Sequence, residues 1–255
     1  MIHSRCRVTA RENPGSNIFI LRFHSPEIAS TVSPGQFVNI KVTDSDYPLL
    51  RRPFSVYHAG QEEFSIIFDI RGSGTSILAS KRPGEMVDII GPLGCPYHVE
   101  GEYSTALLVG GGLGVAPLPM VALAVKRTRK GVLTFLGARS LERVVSAHLE
   151  DPRVATDDGS SGFKGTVVEL LRMQLENGST KNPKIFACGP NPMLSVLSQF
   201  AAEREIPCEI SLESPMACGV GLCQGCPVEL RGEEQRFALI CKEGPVFDSR
   251  RVRVA

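Results

Sequence analysis

The chain has 255 residues, enough for one large domain or two small ones with sizeable cores. Hydrophobic residues make up 42% and charged residues 22% of the sequence, which argues against disorder of the whole chain. Because 28 basic and 27 acidic side chains leave a net charge of +1, nothing in the charge balance favours nucleic acid as a partner.

The N-terminal part of the chain is predicted to be rich in β-strands. The first seven residues lack the apolar run of a secretory signal, so we expect a cytoplasmic protein. Between residues 8 and 102, short β-rich runs alternate with Pro and Gly, which predicts an antiparallel barrel or sandwich. The predicted strands are Ile18–Phe23, Gln36–Val42, Phe64–Ile70 and Met86–Ile90, with a brief helix at Ser76–Lys81.

Two short motifs in this part can contact phosphate. In the run Arg51-Arg52-Pro53-Phe54-Ser55-Val56, adjacent arginines precede a rigid proline and can place a fixed cation at a phosphate, with a serine hydroxyl beside it. The alternative is an exposed basic turn. The small residues Gly72-Ser73-Gly74-Thr75-Ser76 form the second motif, since the N-terminus of the following helix can face the same phosphates.

From residue 103 onward strands and helices alternate, which predicts a parallel sheet covered by helices. Residues 106–125 carry no charge, but their six Gly and Pro residues favour a buried strand, a glycine loop and a helix over a membrane span. The predicted strands are Ala106–Val109, Val132–Leu136, Lys184–Cys188 and Cys208–Leu212, and the predicted helices are Ala116–Arg129, Glu142–Leu149, Thr166–Leu175 and Pro192–Glu203.

The glycine loop at the start of this part is a candidate nucleotide site. Gly110, Gly111, Gly112 and Gly114 follow an apolar strand and open a helix, where backbone N–H groups can hold a pyrophosphate. Neither register completes G-x-G-x-x-G, because a valine or a proline takes the last position. Tight packing of the strand against the helix is the alternative.

Two further segments are predicted at the same edge of the sheet. Cys188-Gly189-Pro190 lies between a strand and a helix, where open α/β sheets bind ligands. In Thr156-Asp157-Asp158-Gly159-Ser160, a carboxylate can bind a ribose hydroxyl and would repel a 2′-phosphate, which favours NAD over NADP. Arg139 weighs the other way, since a guanidinium attracts phosphate. A solvated turn is the alternative for Asp157 and Asp158.

Four of the eight cysteines are clustered near the C-terminus. Cys218, Cys223 and Cys226 give C-x4-C-x2-C and Cys241 follows after fourteen residues, which is the spacing of plant-type [2Fe-2S] proteins. A zinc site normally has two C-x2-C pairs, and disulfides are disfavoured in the cytosol, so both are the weaker alternatives. The remaining cysteines, Cys6, Cys95, Cys188 and Cys208, are predicted to be small buried apolar residues.

The order of these motifs resembles the ferredoxin-NADP reductase superfamily. Arg52-Pro53-Phe54-Ser55, Gly74-Thr75, the glycine loop and Cys188-Gly189-Pro190 follow one another as they do in that superfamily. Its members hold FAD in a β-barrel and NAD(P) in a following α/β domain. The tail narrows the resemblance, because residues 213–226 and 241–247 are similar to the electron-transfer subunit of class 1B dihydroorotate dehydrogenase.

The resemblance implies a fold and a set of cofactor contacts. It implies a multidomain β and α/β protein with an antiparallel FAD-binding β-barrel in residues 1–102, a Rossmann-like parallel α/β NAD domain in 103–213 and a small [2Fe-2S] domain in 214–255. Phe54 stands where related reductases often have Tyr. The implied contacts are Arg52, Pro53, Phe54, Ser55, Phe68, Asp69, Ile70, Gly74 and Thr75 for FAD; Gly110, Gly111, Gly112, Gly114, Asp157, Cys188, Gly189 and Pro190 for NAD; and Cys218, Cys223, Cys226 and Cys241 for the cluster.

The resemblance also implies an activity and a partner. An FMN-bearing subunit would oxidise dihydroorotate in pyrimidine biosynthesis, and its electrons would reach NAD⁺ through [2Fe-2S] and FAD in a heterotetramer with two copies of each subunit. No catalytic acid, base or nucleophile is predicted in this chain, whose five histidines are isolated in sequence. The alternatives are the small subunit of an NAD(P)H-ferredoxin or sulfide oxidoreductase, and a zinc-stabilised interaction module without activity.

Overall fold

A computed structural model describes residues 1–176, 178, 180–232 and 236–254. This part of the chain contains a closed barrel, a seven-stranded sheet and a two-stranded ribbon. Within it, no helix combines the length and the apolar character needed to cross a bilayer.

The N-terminal part forms an antiparallel barrel, as predicted. Its strands are β1 (Ile2–Gly15), β2 (Ile18–His24), β3 (Phe37–Lys41), β4 (Arg52–Ala59), β5 (Glu63–Asp69) and β6 (Met86–Leu93), with helices α1 (Pro26–Thr31) and α2 (Ser73–Ala79). They close in the order β1-β2-β5-β4-β3-β6. Phe64, Ile66 and Phe68 of β5 all pack in the barrel core, as the two-residue period of a strand requires.

Helix α2 begins three residues earlier than the predicted Ser76–Lys81. The Thr75 hydroxyl accepts hydrogen bonds from the N–H groups of Arg71 and Gly72, at 2.8 and 3.2 Å. These bonds pair N–H groups at the start of the helix, so the helix can begin at Ser73.

The second part is a parallel α/β sheet, also as predicted. Its strands lie in the order β10-β9-β8-β7-β11-β12, and every one of these pairs is parallel. A short 3₁₀ turn at Gly112–Val115 separates β7 from α3. The elements are β7 (Thr105–Gly111), α3 (Leu118–Arg127), β8 (Gly131–Ala138), β9 (Arg153–Thr156), β10 (Phe163–Lys164), α4 (Val167–Glu176), β11 (Pro183–Cys188), α5 (Asn191–Glu203) and β12 (Cys208–Ser211).

The predicted helix at Glu142–Leu149 is wrong. Only a 3₁₀ turn forms, at Leu141–Arg143, and the following segment lies against the barrel. There the Tyr57 hydroxyl donates a hydrogen bond to the Ala147 carbonyl at 2.8 Å, and the rings of His58 and His148 stack with centroids 4.9 Å apart. These tertiary contacts use backbone that a helix would need, and His148 has a left-handed φ of 65°.

The C-terminal tail completes structures begun by the rest of the chain. Strands β13 (Pro227–Glu229) and β14 (Phe237–Leu239) pair with each other, whereas β15 (Val246–Asp248) adds to the large sheet antiparallel to β12. The apolar residues Ile240, Phe247 and Val252 pack in the same core as Leu107 of β7. The tail is too short to form a hydrophobic core of its own, and its apolar residues therefore pack into the core of the sheet.

Candidate functional site

A cavity of about 540 Å³ lies between the barrel and the carboxyl edge of the sheet. Its volume is in the usual range for a site that binds an organic cofactor. Six of the nine residues that the resemblance assigns to FAD line this one cavity. They are Pro53, Phe54 and Ser55 of β4, Phe68 and Asp69 of β5, and Thr75 of α2.

The three other residues assigned to FAD lie beside the cavity rather than in its lining. Arg52 lies over α2, since its Nε atom is 3.1 Å from the place that a Cβ on Gly74 would take. Ile70 packs against the barrel core, and its N–H donates to the Asn17 carbonyl at 3.3 Å. The structure thus brings the two predicted phosphate motifs together.

Aromatic rings form one wall of the cavity. The rings of Phe54 and Phe68 have centroids 5.5 Å apart, and Phe19 stacks on the other side of Phe68 at 6.0 Å. Phe54 is half-buried and faces the cavity without a hydroxyl. An apolar ring wall of this kind suits the flat face of a flavin.

Two carboxylates line the cavity and differ in their surroundings. Asp69 receives hydrogen bonds from Arg71 Nε and Arg143 Nη2, each at 2.8 Å. Burial alone would raise the pKa of Asp69, but the two arginines outweigh it and lower the pKa below its ordinary value. Glu213 is open to the cavity but surrounded by protein, and this desolvation raises its pKa although Arg71 opposes the rise.

The Asp69 contacts change how this predicted FAD residue is understood. Arg143 follows β8, so its ion pair with Asp69 ties the sheet to the barrel at the cavity. The Asp69 side chain is only 8% exposed. Its carboxylate therefore serves to orient the two halves of the cavity relative to each other.

The glycine loop forms part of the opposite wall and is largely a packing device. A Cβ on Gly114 would lie 2.6 Å from the Cα of Gly189, and one on Gly111 would lie 2.9 Å from Pro190 Cδ. Gly110 is equally crowded by Leu118 of α3. By contrast, Gly112 has a left-handed φ of 54° and nothing within 4 Å, so its backbone is the part of the loop open to a ligand.

The other residues assigned to NAD lie along the same sheet edge. Cys188 ends β11 beside Gly110, and burial raises the pKa of its thiol far above the ordinary value, so it stays protonated. Asp157 is exposed at the end of β9, two strands and so about 10 Å from β7. The Asp158 carboxylate instead accepts hydrogen bonds from the N–H and hydroxyl of Ser160, at 2.9 and 2.6 Å.

The four clustered cysteines are linked by hydrogen bonds from backbone N–H groups to sulfur. The N–H groups of Val220 and Cys223 donate to Cys218 Sγ at 3.5 and 3.4 Å. The Gly221 N–H donates to Cys241 Sγ at 3.1 Å, and the Cys241 N–H donates to Cys226 Sγ at 3.4 Å. The distant fourth cysteine is therefore brought to the loop that carries the other three.

This loop suits an iron–sulfur cluster in its backbone and, at Cys218, in the acidity of the thiol. Gly219 and Gly221 have left-handed φ values of 70° and 85°, which glycine adopts without strain. Burial opposes ionisation of Cys218, but its N–H donors outweigh burial and lower the pKa to about 6. Burial and the Cys226 thiol raise the pKa of Cys241 to about 12.

The donor set and the N–H···S bonds carry the fit to [2Fe-2S], since thiolates are the ligands of such clusters and these bonds tune them. As the side chains are placed, the described part of the chain has no group of three or more His, Cys, Asp or Glu arranged to hold a metal ion.

The cavity and the cysteine loop share a wall. Ser211, Leu212, Glu213, Ser214 and Met216 line the cavity, and the first cluster cysteine follows only two residues after Met216. Two residues span at most about 7 Å. On the other side, Pro245 lines the cavity four residues after Cys241. The two sites are therefore neighbours.

Comparison with known proteins identifies the family. The iron–sulfur cluster binding domain of dihydroorotate dehydrogenase B matches residues 213–253. The chain is 36% identical over 241 residues to the electron transfer subunit of dihydroorotate dehydrogenase B (NAD(+)) from Desulforamulus reducens, with 91% of each chain covered. It is 42% identical over 224 residues to the subunit from Bacillus caldolyticus, with 84% of each covered. The chain belongs to this family.

A solved structure supports the same architecture for these electron transfer subunits. A chain of an NADH-dependent reduced ferredoxin-NADP oxidoreductase, studied for flavin-based electron bifurcation, is 28% identical and superposes with a TM-score of 0.88. The match covers 98% of this chain and 90% of the other. Membership of the family establishes an oxidoreductase subunit that uses FAD, an iron–sulfur cluster and NAD.

Several residues that line the cavity were not assigned to FAD from the sequence. Ser211, Leu212 and Glu213 were within reach of sequence reasoning, because they end or follow the last predicted strand at the carboxyl edge of a parallel sheet, where ligands bind. Arg71 directly precedes a predicted small-residue motif. Met216 and Pro245 belong to the segments that carry the resemblance, but nothing in the sequence marks them as cavity residues, because they reach the cavity only through the path of the tail.

Proposed function

We propose that this chain accepts electrons from an FMN-bearing subunit that oxidises dihydroorotate and delivers them to NAD⁺, in the route to pyrimidine nucleotides. The observation that carries the proposal is the shared wall: residues 211–214 and 216 line the cavity and lead directly into Cys218 of the cysteine loop. A one-electron centre beside a flavin lets single electrons be collected and passed on as a hydride, which is the chemistry that the bound cofactors supply.

The residues of this chain bind and orient. Pro53, Phe54, Ser55 and Phe68 would hold the flavin ring, and Arg52 with Thr75 would bind the FAD phosphates. Leu113 and Ala116 from the sheet side keep water from the ring.

The sheet edge offers a place for the dinucleotide. The open backbone of Gly112 would receive the pyrophosphate of NAD, next to the tight contact of Gly111 with the Gly189-Pro190 corner. Asp157 binds a ribose hydroxyl about two strands away, and its negative charge disfavours a 2′-phosphate. The carboxylate and its distance from the glycine loop support NAD over NADP.

The cluster ligands in this proposal are Cys218, Cys223, Cys226 and Cys241. The partner is a dihydroorotate-oxidising subunit with FMN, and the assembly contains two copies of each chain. We place it in the cytoplasm, because the four cysteines outside the loop, Cys6, Cys95, Cys188 and Cys208, are free thiols, as in a reducing compartment.

The test uses the chain coexpressed with its FMN-bearing partner and loaded with FAD and iron. We expect dihydroorotate-dependent reduction of NAD⁺, exceeding that of NADP⁺. Cys223→Ser should abolish this activity but leave NADH oxidation by ferricyanide, which needs only the flavin. Cys6→Ser, a buried thiol in β1, is the matched control and should keep both activities.

Three results would contradict the proposal. A loaded complex without dihydroorotate-dependent NAD⁺ reduction would exclude the proposed reaction. Full partner-driven turnover in Cys223→Ser would show that the cysteine loop is not needed for it. A colourless protein that binds zinc and no flavin would favour an interaction module instead.

A further inference from the structure

A buried asparagine of the barrel holds the first cluster cysteine. Asn39 lies in the middle of β3 and is 0% exposed. Its side-chain Nδ2 donates a hydrogen bond to the carbonyl of Cys218 at 2.9 Å. The two residues are 179 positions apart in sequence, so this bond joins the barrel directly to the cysteine loop.

The same asparagine is one strand away from the flavin cavity. In the antiparallel register of β3 and β4, Asn39 faces Pro53, which lines that cavity. The Asn39 main-chain carbonyl also accepts a hydrogen bond from Arg51 Nη1 at 3.4 Å. Asn39 therefore lies between the strand that borders the flavin and the residue that begins the cluster loop.

The loop is shaped to receive this side chain. A Cβ on Gly219 would lie 2.5 Å from Asn39 Nδ2, so only glycine at this position lets the amide reach Cys218. Among the described residues, Asn39 Oδ1 is buried without a hydrogen-bond partner. A buried acceptor without a partner is costly, so the contact that compensates for it is the bond from Nδ2 to Cys218.

We propose that Asn39 is a positioning residue that fixes Cys218, and through it the [2Fe-2S] cluster, at a set place against the flavin barrel. This inference rests on the proposed function and adds a residue to it. Asn39 also holds the loop whose Val220 and Cys223 N–H groups donate to Cys218 Sγ, and hydrogen bonds to the ligand sulfur favour the reduced cluster. Asn39 thus helps to set both the place and the reduction potential of the cluster.

The test removes the donor and follows the cluster itself. In the full complex, Asn39→Ala and Asn39→Leu should shift the midpoint potential of the cluster to more negative values, measured by a dithionite titration followed by electron paramagnetic resonance. The g values of the reduced cluster should change as well. Iron content per chain, measured on the same samples, shows whether each variant is loaded.

A matched control separates positioning from general loss of stability. Asn182 makes the same type of bond in another place, from its Nδ2 to the Glu102 carbonyl at 3.0 Å. Asn182→Ala should leave the potential and the g values as in the wild type. Gly219→Ala approaches the bond from the other side and should shift the potential in the same direction as Asn39→Ala, which provides a test if the Asn39 variants do not fold.

The outcomes are distinct. Iron-loaded Asn39→Ala and Gly219→Ala proteins with the wild-type potential and spectrum would overturn the role of Asn39. A shift of the same size in Asn182→Ala would also overturn it, since the effect would then not depend on this bond. If the wild-type chain itself holds no [2Fe-2S] cluster, the proposed function fails instead.

Discussion

Gly114→Ala tests whether the glycine loop is built for packing as well as for binding. Gly114 lies in the 3₁₀ turn after β7, and an added Cβ would lie 2.6 Å from Gly189 Cα and closer still to the Cys188 carbonyl. Ordinary contacts are 3.4 Å or longer, so the two segments must separate by about 0.8 Å or more. The main chain of Cys188 cannot move alone, because β11 is paired on both sides.

The cost follows from this overlap. Overpacking of a tight site costs about 1–3 kcal/mol. For a chain of this size each kcal/mol lowers the melting temperature by about 2–4 °C, so we expect a fall of about 2–12 °C in thermal unfolding. Because the displaced Gly189-Pro190 corner borders the proposed NAD site, the KM for NADH in ferricyanide reduction should rise.

The control, Gly84→Ala, measures the effect of a destabilising glycine substitution that makes no clash. Gly84 has a left-handed φ of 95° but nothing within 4 Å, so Gly84→Ala carries a backbone cost of about 1–2 kcal/mol without any overlap. It should lower the melting temperature and leave the KM for NADH unchanged. A Gly114→Ala protein with wild-type melting temperature and KM would refute the packing argument.

The two cavity carboxylates should respond to pH in opposite ways, measured as melting temperature at equal FAD content. The pKa of Asp69 is lowered in the folded protein, so its stabilising effect is present above its ordinary value of 3.8 and is lost as the pH falls below it. Asp69→Asn should therefore cost about 1 kcal/mol at pH 7, after discounting the exposed Arg71, and less near pH 3; an equal loss at both values would contradict this. The pKa of Glu213 is raised, so its ionisation weakens the fold as the pH rises, and Glu213→Gln should gain stability over the wild type at pH 8 but not at pH 4. A variant with no advantage at pH 8 would show that Glu213 is well solvated.

Local sequence patterns were sufficient to predict structure where a single segment determines it. The cysteine spacing of the tail and the alternation of strands and helices after residue 103 depend on residues close together in sequence. Strand β1 escaped prediction because only Cys6 and Val8 of its fourteen residues are buried, so its alternation of inward and outward side chains carries little apolar signal. The segment around His148 has helical periodicity, but its contacts with Tyr57 and His58 of the barrel override it.

The sequence does not show which glycines of the loop serve packing and which can contact a ligand. At each of the four positions, Gly110, Gly111, Gly112 and Gly114, the sequence is consistent with ligand binding and with tight packing. The structure separates them, because three are crowded by neighbours from distant segments and Gly112 alone of these four faces open space. Such neighbours come from the order of β7 and β11 in the sheet, which local sequence does not contain.

The path of the tail explains why the flavin and cluster sites form a single unit. Residues 214 and 216 line the flavin cavity before the chain reaches Cys218, and Pro245 returns to the same cavity after Cys241. The N–H of Leu212 donates to the Pro245 carbonyl at 2.9 Å, so the two passes are joined to each other. Asn39 holds the loop from the barrel side, while β15 holds the end of the tail in the sheet. The cysteine loop is thus attached to the barrel and to the sheet at once, and a shift of the barrel relative to the sheet would change the cavity and the cysteine loop together.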